Sequence, residues 1–192
     1  DDDGSGTVAI LEIAKAFQKA KAAGHGPKRS VLILHVTGEE HGLHGSRYYS
    51  ENPLFPLANT VADVNIDMIG RHDEFRNDSN YIYLIGSDYL SSDLQQICVD
   101  ANKDLQLKLD YKYNERSDPN RFYYRSDHYN FAKNGIPSVF LFSGTHADYH
   151  QPGDDVEKIE FDALTKRTRY AFAIAWELAN RDKRPVVDKD GK

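Results

Sequence analysis

The sequence predicts a layered α/β domain, and three observations carry that prediction. The chain has 192 residues, of which 40% are hydrophobic, enough for one substantial core. Segments with apolar residues at helical spacing alternate with short, continuous apolar runs. No internal repeat or low-complexity tract interrupts the alternation. Charged residues make up 28% and the net charge is −6, which argues against nucleic acid or an anionic membrane as a partner. No stretch approaches the roughly 18 apolar residues of a membrane span. The single cysteine, Cys98, excludes an internal disulfide and sits in an apolar helical stretch, where it reads as buried and inert.

The elements follow in order. Ser5 is a candidate N-cap for a helix over Gly6 to Lys21, with Ile10, Ile13, Ala14 and Phe17 on one face. The run Ala23-Gly24-His25-Gly26-Pro27 ends it. Ser30 to Val36 (SVLILHV) reads as a buried strand, Ala62 to Met68 as a second and Tyr81 to Ile85 as a third. Leu90 to Lys103 reads as a helix with Leu94, Ile97, Cys98 and Ala101 together. Ser126 is placed to cap a short helix that stops at Gly135, and Pro137 to Phe142 is another buried strand. Phe161 to Asn180 is the closing helix. Residues 1–180 are expected to form the domain, with Arg181 to Lys192 as a charged tail.

Three of these strands run into metal-capable groups. The first leads to Thr37-Gly38-Glu39-Glu40, the second carries Asp67 at its end, and the Pro137 strand leads to a loop holding His146, Asp148 and His150. Ligands of open α/β sheets bind at the carboxyl ends of strands. A hydrolytic zinc site needs imidazole and carboxylate ligands and an open position for water. Two neighbouring ions need a bridging carboxylate, and the water needs a carboxylate free to take its proton. Glu39 and Glu40, adjacent but pointing apart, can divide ligand and base between them, with Asp2, Asp67 and His150 as further ligands. There is no His-Glu-x-x-His, no inverted form of it and no Gly-x-Ser-x-Gly elbow. Ser126-Asp127-His128 has triad chemistry, but neighbours in sequence cannot relay a proton as a triad does.

Five motifs occur in fixed order: Asp-Asp-Gly-Ser-Gly before a helix, Gly-Glu-Glu-x-Gly-Leu-x-Gly-Ser after a strand, Asn-Ile-Asp-Met, Arg-Ser-Asp-His and Asp-Tyr-His-Gln-Pro. Together they resemble the co-catalytic two-zinc aminopeptidase family, which includes bacterial leucyl aminopeptidases, glutamate carboxypeptidases and glutaminyl cyclases. The resemblance covers nearly the whole chain. It implies a three-layer α/β/α fold with a mixed central sheet and a zinc-dependent exopeptidase acting on peptides. By the same resemblance Asp2 is the bridging ligand, followed by Asp3 through a non-proline cis peptide. Glu39 is the general base, Glu40 and His150 hold one Zn2+, Asp67 holds the other, and Tyr149 stabilises the oxyanion. Asp3, Asp127 and His128 belong to the supporting surroundings.

The family's first histidine lies in a His-x-Asp motif upstream of the bridging aspartate, and the present sequence opens at Asp1. An N-terminal part is therefore expected beyond it, within a longer chain or as a separate polypeptide, and a periplasmic or secreted location goes with this reading. Two rival functions share the motifs: a glutaminyl cyclase-like acyltransferase, and a receptor or scaffold relative without catalysis. His146 is expected on the substrate side or the surface, His41 and His44 near the site or on the surface, and Asp154 as a brace for the His150 loop. Arg71, Arg121 and Arg125 are candidate anchors for a substrate terminus. The tyrosine-rich stretch Tyr111 to Tyr129 fits a pocket wall and a core equally well.

Overall fold

The computed structural model describes residues 1–191. Helix α1 spans Gly4–Ala22, α2 His44–Glu51, α3 Ser92–Ala101, α4 His128–Ala132 and α5 Phe161–Asn180. Strand β1 spans Asp63–Ile66, β2 Tyr81–Ile85, β3 Lys108–Asp110 and β4 Ser138–Phe142. They form one mixed sheet in the order β1-β4-β2-β3. β1 and β4 are parallel, as are β2 and β3, while β2 and β4 are antiparallel.

Side chains alternate across the strands, so each apolar run serves two cores. Ile82, Leu84, Val139 and Leu141 face a core built with Ile13 and Phe17 of α1, Leu94 and Ile97 of α3, and Ile174 of α5. Tyr81, Tyr83, Ile85, Phe140 and Phe142 face the opposite way, against Tyr113, Phe122, Tyr123 and Ala132. Helices α2 and α4 pack together, and α4 lies against β1 and β4. The layers are thus helix, sheet, helix, as the resemblance implies. Arg167 of α5 is fully buried and ties the layers together. It donates to the carbonyls of Tyr81, Ile69, Arg71 and Ser79, so its charge is spread over four acceptors instead of facing a carboxylate.

Three local expectations need correction. Helix α1 begins two residues early, because the Asp3 carboxylate accepts from Gly6 N at 3.0 Å and is itself the N-cap. Ser5 lies inside the first turn and donates to Asp1 Oδ1 at 2.6 Å. Asp127, not Ser126, precedes α4, because the Ser126 hydroxyl is bound to Asp67. The segment 30–36 forms no strand ladder, and Val31 and Leu32 are 36% and 46% exposed. An apolar run becomes a strand only when it pairs with a partner, and none of the described strands pairs with it. It is held at its ends instead: Arg29 binds carbonyls at the end of α5, and Leu34 packs on the cluster of Tyr49, Phe131 and Ile136. Residues 181–191 lie along the surface, where Arg184 donates to Ala58 O and Thr60 O, and Asp188 N to Leu90 O.

Because β1 and β4 run parallel, their carboxyl ends open on the same sheet edge. Asp67 follows one, and the loop leading to His150 follows the other.

Candidate metal centre

A cavity of about 300 Å³ opens at this edge, and Asp2, Glu39, Glu40, Asp67, Tyr149 and His150 all line it. Each arrives by a different local device. The peptide Asp2–Asp3 is cis, as the resemblance implies. The Asp3 carboxylate accepts from Gly6 N and from Met68 N at 3.1 Å, which joins the start of α1 to the end of β1. Gly6 is required there, since a Cβ would meet Ile66 O at 2.3 Å. Glu39 and Glu40 sit in a tight turn in which Leu43 N bonds Glu39 O at 2.9 Å and Gly45 N bonds Thr37 O at 2.7 Å. A Cβ at Gly45 would lie 2.5 Å from Thr37 N, so only glycine lets α2 start against that backbone. Met68 and His150 adopt left-handed backbone at φ 53° and 57°. Such positions cost energy in non-glycine residues and cluster at functional sites.

The ligand atoms of Asp2, Glu40 and His150 all lie within 4.8 Å of one another. His150 Nε2 is 3.2 Å from Asp2 Oδ2 and 3.1 Å from Glu40 Oε2. Asp67 Oδ2 accepts from Ser126 Oγ at 2.8 Å, and Asn65 donates to the same hydroxyl at 2.9 Å. The other oxygen of Asp67 is buried and has no hydrogen-bond partner in the protein. Buried carboxylate oxygens are ordinarily paired, so this one is left for a cation. Two carboxylates and an imidazole converging beside a further carboxylate with one oxygen unpartnered are a donor set that suits zinc.

The electrostatics agree. Burial, then repulsion from Asp67, Glu40, Asp127 and Asp2, pushes the Glu39 carboxyl up to about 8. Burial, then Glu40, raises Asp2 to about 6 against the opposing pull of His150. Asp67 is raised to about 7 by burial and then by Asp2, Asp127 and Glu40, with the Ser126 hydroxyl opposing. Asp3 is raised to about 9 by burial and then by Asp67, although it accepts two backbone N–H bonds. Crowded carboxylates of this kind resist ionising together unless a cation joins them.

The other expected residues lie around the cavity. His128 is fully buried, stacked on the pocket-lining Phe140 with ring centroids 4.9 Å apart, and burial lowers it to about 3. It is a neutral, apolar-packed ring. Asp127 approaches Ser46, and burial raises its carboxyl. Tyr149 stacks on His150 at 3.8 Å, and its hydroxyl accepts from Arg125 at 2.9 Å. Burial moves that phenol up to about 12, with Arg125 opposing.

His146 is not a surface or substrate-side group. It is buried, with Nε2 3.3 Å from Asp1 Oδ2 and 3.7 Å from Asp154 Oδ1. Asp1 is buried too. Asp154 accepts from Asp2 N at 3.0 Å and braces the loop. Of the candidate anchors, Arg71 is engaged by Asp148 and Asp154, and Arg121 lies over the Tyr124 ring at 4.8 Å. Only Arg125 lines the cavity. The tyrosine-rich stretch divides: Tyr124 joins the cavity wall, whereas Tyr113 and Tyr123 are buried core. Phe122 of the same stretch, with Phe140 and Phe142 of a strand expected only as core, completes that wall.

Comparison with known proteins gives the family and the fold. The model of peptidase family M28 matches residues 1–175. Leucine aminopeptidase 1 of Penicillium rubens is 30% identical over 186 residues, covering 93% of this chain and 46% of that protein. The LapA aminopeptidase structure of Legionella pneumophila superposes with a TM-score of 0.75 at 24% identity, over 95% of this chain and 47% of that one. BSAP, a zinc aminopeptidase from Bacillus subtilis, gives 0.73 at 22% identity, over all of this chain and 45% of that one. The chain therefore spans about half the length of the relatives it matches.

Proposed function

Since the chain belongs to peptidase family M28, we propose that it forms the catalytic part of a zinc-dependent aminopeptidase that removes N-terminal residues from peptides. The observation that supports this most is the convergence of Asp2, Glu40 and His150 beside the unpartnered oxygen of Asp67, with Glu39 on the same cavity. Relatives named as leucine and zinc aminopeptidases point the same way.

In this reading Asp2 would be the shared ligand of a two-zinc centre. Glu40 and His150 would complete one zinc position and Asp67 the other, with a further imidazole from a His-x-Asp motif as in the family. Zinc held there would polarise the scissile carbonyl as a Lewis acid and make water more acidic. Glu39 takes the proton from the attacking water and returns it to the leaving amine. A carboxylate at this place can serve both halves of that task. The Tyr149 hydroxyl, held by Arg125, donates its own proton to the oxygen on which negative charge develops. The aromatic wall of Phe122, Tyr124, Phe140 and Phe142 excludes water from the substrate side chain.

Zinc content and hydrolysis of aminoacyl anilides by the full-length protein test the proposal. Two zinc ions per chain and turnover that ceases on chelation are expected. One zinc with cyclisation of N-terminal glutamine would favour the cyclase reading. Less than one zinc with no turnover would favour the scaffold reading.

A further inference from the structure

We propose that Arg71 is a positioning residue for the metal centre, a clamp that holds the loop of His150 and the segment of Asp2 in register. The inference rests on the metal-site reading above. His150 is only partly fixed by packing: its side chain is 46% exposed, its backbone is left-handed, and its ring stacks on Tyr149 while Nε2 faces the carboxylates of Asp2 and Glu40. Something else must hold the loop still.

Arg71 follows β1 by five residues and reaches both flanks of that loop. Nη2 binds Asp148 Oδ2 at 2.9 Å, two residues before His150. Nη1 binds Asp154 Oδ1 at 3.1 Å, four residues after it. The second oxygen of Asp154 accepts from the backbone N–H of Asp2 at 3.0 Å. One planar, rigid guanidinium thus sets both sides of His150 and, through one carboxylate, the backbone of Asp2. The base of the clamp is anchored as well. Arg71 O accepts from Arg167 Nη1 and Ser143 Oγ, each at 2.7 Å. The Arg71 side chain is 15% exposed, so solvent screens these pairs little compared with surface pairs. Lys158 also grips Asp148, at 2.7 Å, but from the exposed side and without reaching Asp154 or Asp2.

The test is zinc affinity of the full-length protein, measured by competition with a chromogenic chelator, alongside kcat and KM. Arg71→Gln is expected to weaken zinc binding about 10–100-fold, the range for groups that orient metal ligands. At limiting zinc its kcat falls while KM holds, and added zinc restores kcat, which a general loss of structure would not allow. Arg71→Lys is expected not to rescue affinity, because one ammonium cannot span both carboxylates. Lys158→Ala is expected to bind zinc as the parent does. Asp148→Asn removes one arm and should weaken zinc in the same direction by less, and it decides the matter should Arg71→Gln not fold. Parental zinc affinity in Arg71→Gln, or in Asp148→Asn if only that variant folds, would overturn the clamp and leave the aminopeptidase reading standing. A parent protein that binds no zinc would overturn both.

Discussion

Glu39 shows how much of a residue's chemistry comes from its neighbours. As one of two adjacent glutamates on a turn it is unremarkable, yet in the fold it shares a cavity wall with Asp2, Glu40 and Asp67. The same crowding makes a prediction about pH. The carboxyls of Asp2, Asp67 and Glu39 are raised to about 6, 7 and 8 from ordinary values of 3.8, 3.8 and 4.5. Without metal the folded state therefore binds more protons than the unfolded state between about pH 4 and pH 8, and stability falls as pH rises through that window. Thermal unfolding of chelator-treated protein should show a higher midpoint at pH 5 than at pH 8. Zinc should lift the pH 8 midpoint most, because the cation relieves the same repulsion. A metal-free midpoint that rises steadily across the window would contradict this electrostatic account. That Asp2, Glu39, Glu40, Asp67 and His150 meet in one cavity was legible from motif order, but these shifts were not, because they depend on burial and on carboxylates distant in sequence.

At the scale of elements, legibility tracked whether the signal was local. Helix α5 appears over its expected span, and β2 and β4 match closely, because each carries its own apolar pattern. The caps of α1 and α4 were misassigned because Ser5 and Ser126 spend their hydroxyls on long-range partners. Segment 30–36 has strand composition without a pairing strand, which composition cannot reveal. Helix α2 escaped notice because its polar octet, HGSRYYSE, has no apolar stripe. Two substitutions test the elements. Gly45→Ala should destabilise the protein by about 1–3 kcal/mol in urea unfolding, since the new Cβ meets the Thr37 backbone. Arg167→Leu strips donors from four carbonyls and should cost about 3 kcal/mol or more, at roughly 1–3 kcal/mol for each buried group left unpaired. Wild-type midpoints in either variant would show that these contacts are dispensable.

At the scale of the molecule, two parallel strands deliver their ends to one edge, and a third segment, the turn of Glu39 and Glu40, closes on them. The site is assembled from four stretches spread over nearly 150 positions, so zinc should act as a cross-link between them. At a free concentration of 100 times its dissociation constant, zinc should stabilise the fold by about 2.7 kcal/mol per site. Calorimetry across a zinc titration would show this as a rising midpoint, and a flat response would argue against metal binding by the folded chain. The central claim, however, is that Glu39 is the base and not a ligand, while Asp2, Glu40, Asp67 and His150 hold the metal. It is tested most directly by zinc content and aminoacyl-anilide turnover of the full-length Glu39→Gln protein beside its parent. The account predicts parental zinc content with kcat lowered by about 10²–10⁴-fold. Turnover near the parental rate, or zinc lost along with activity, would contradict it.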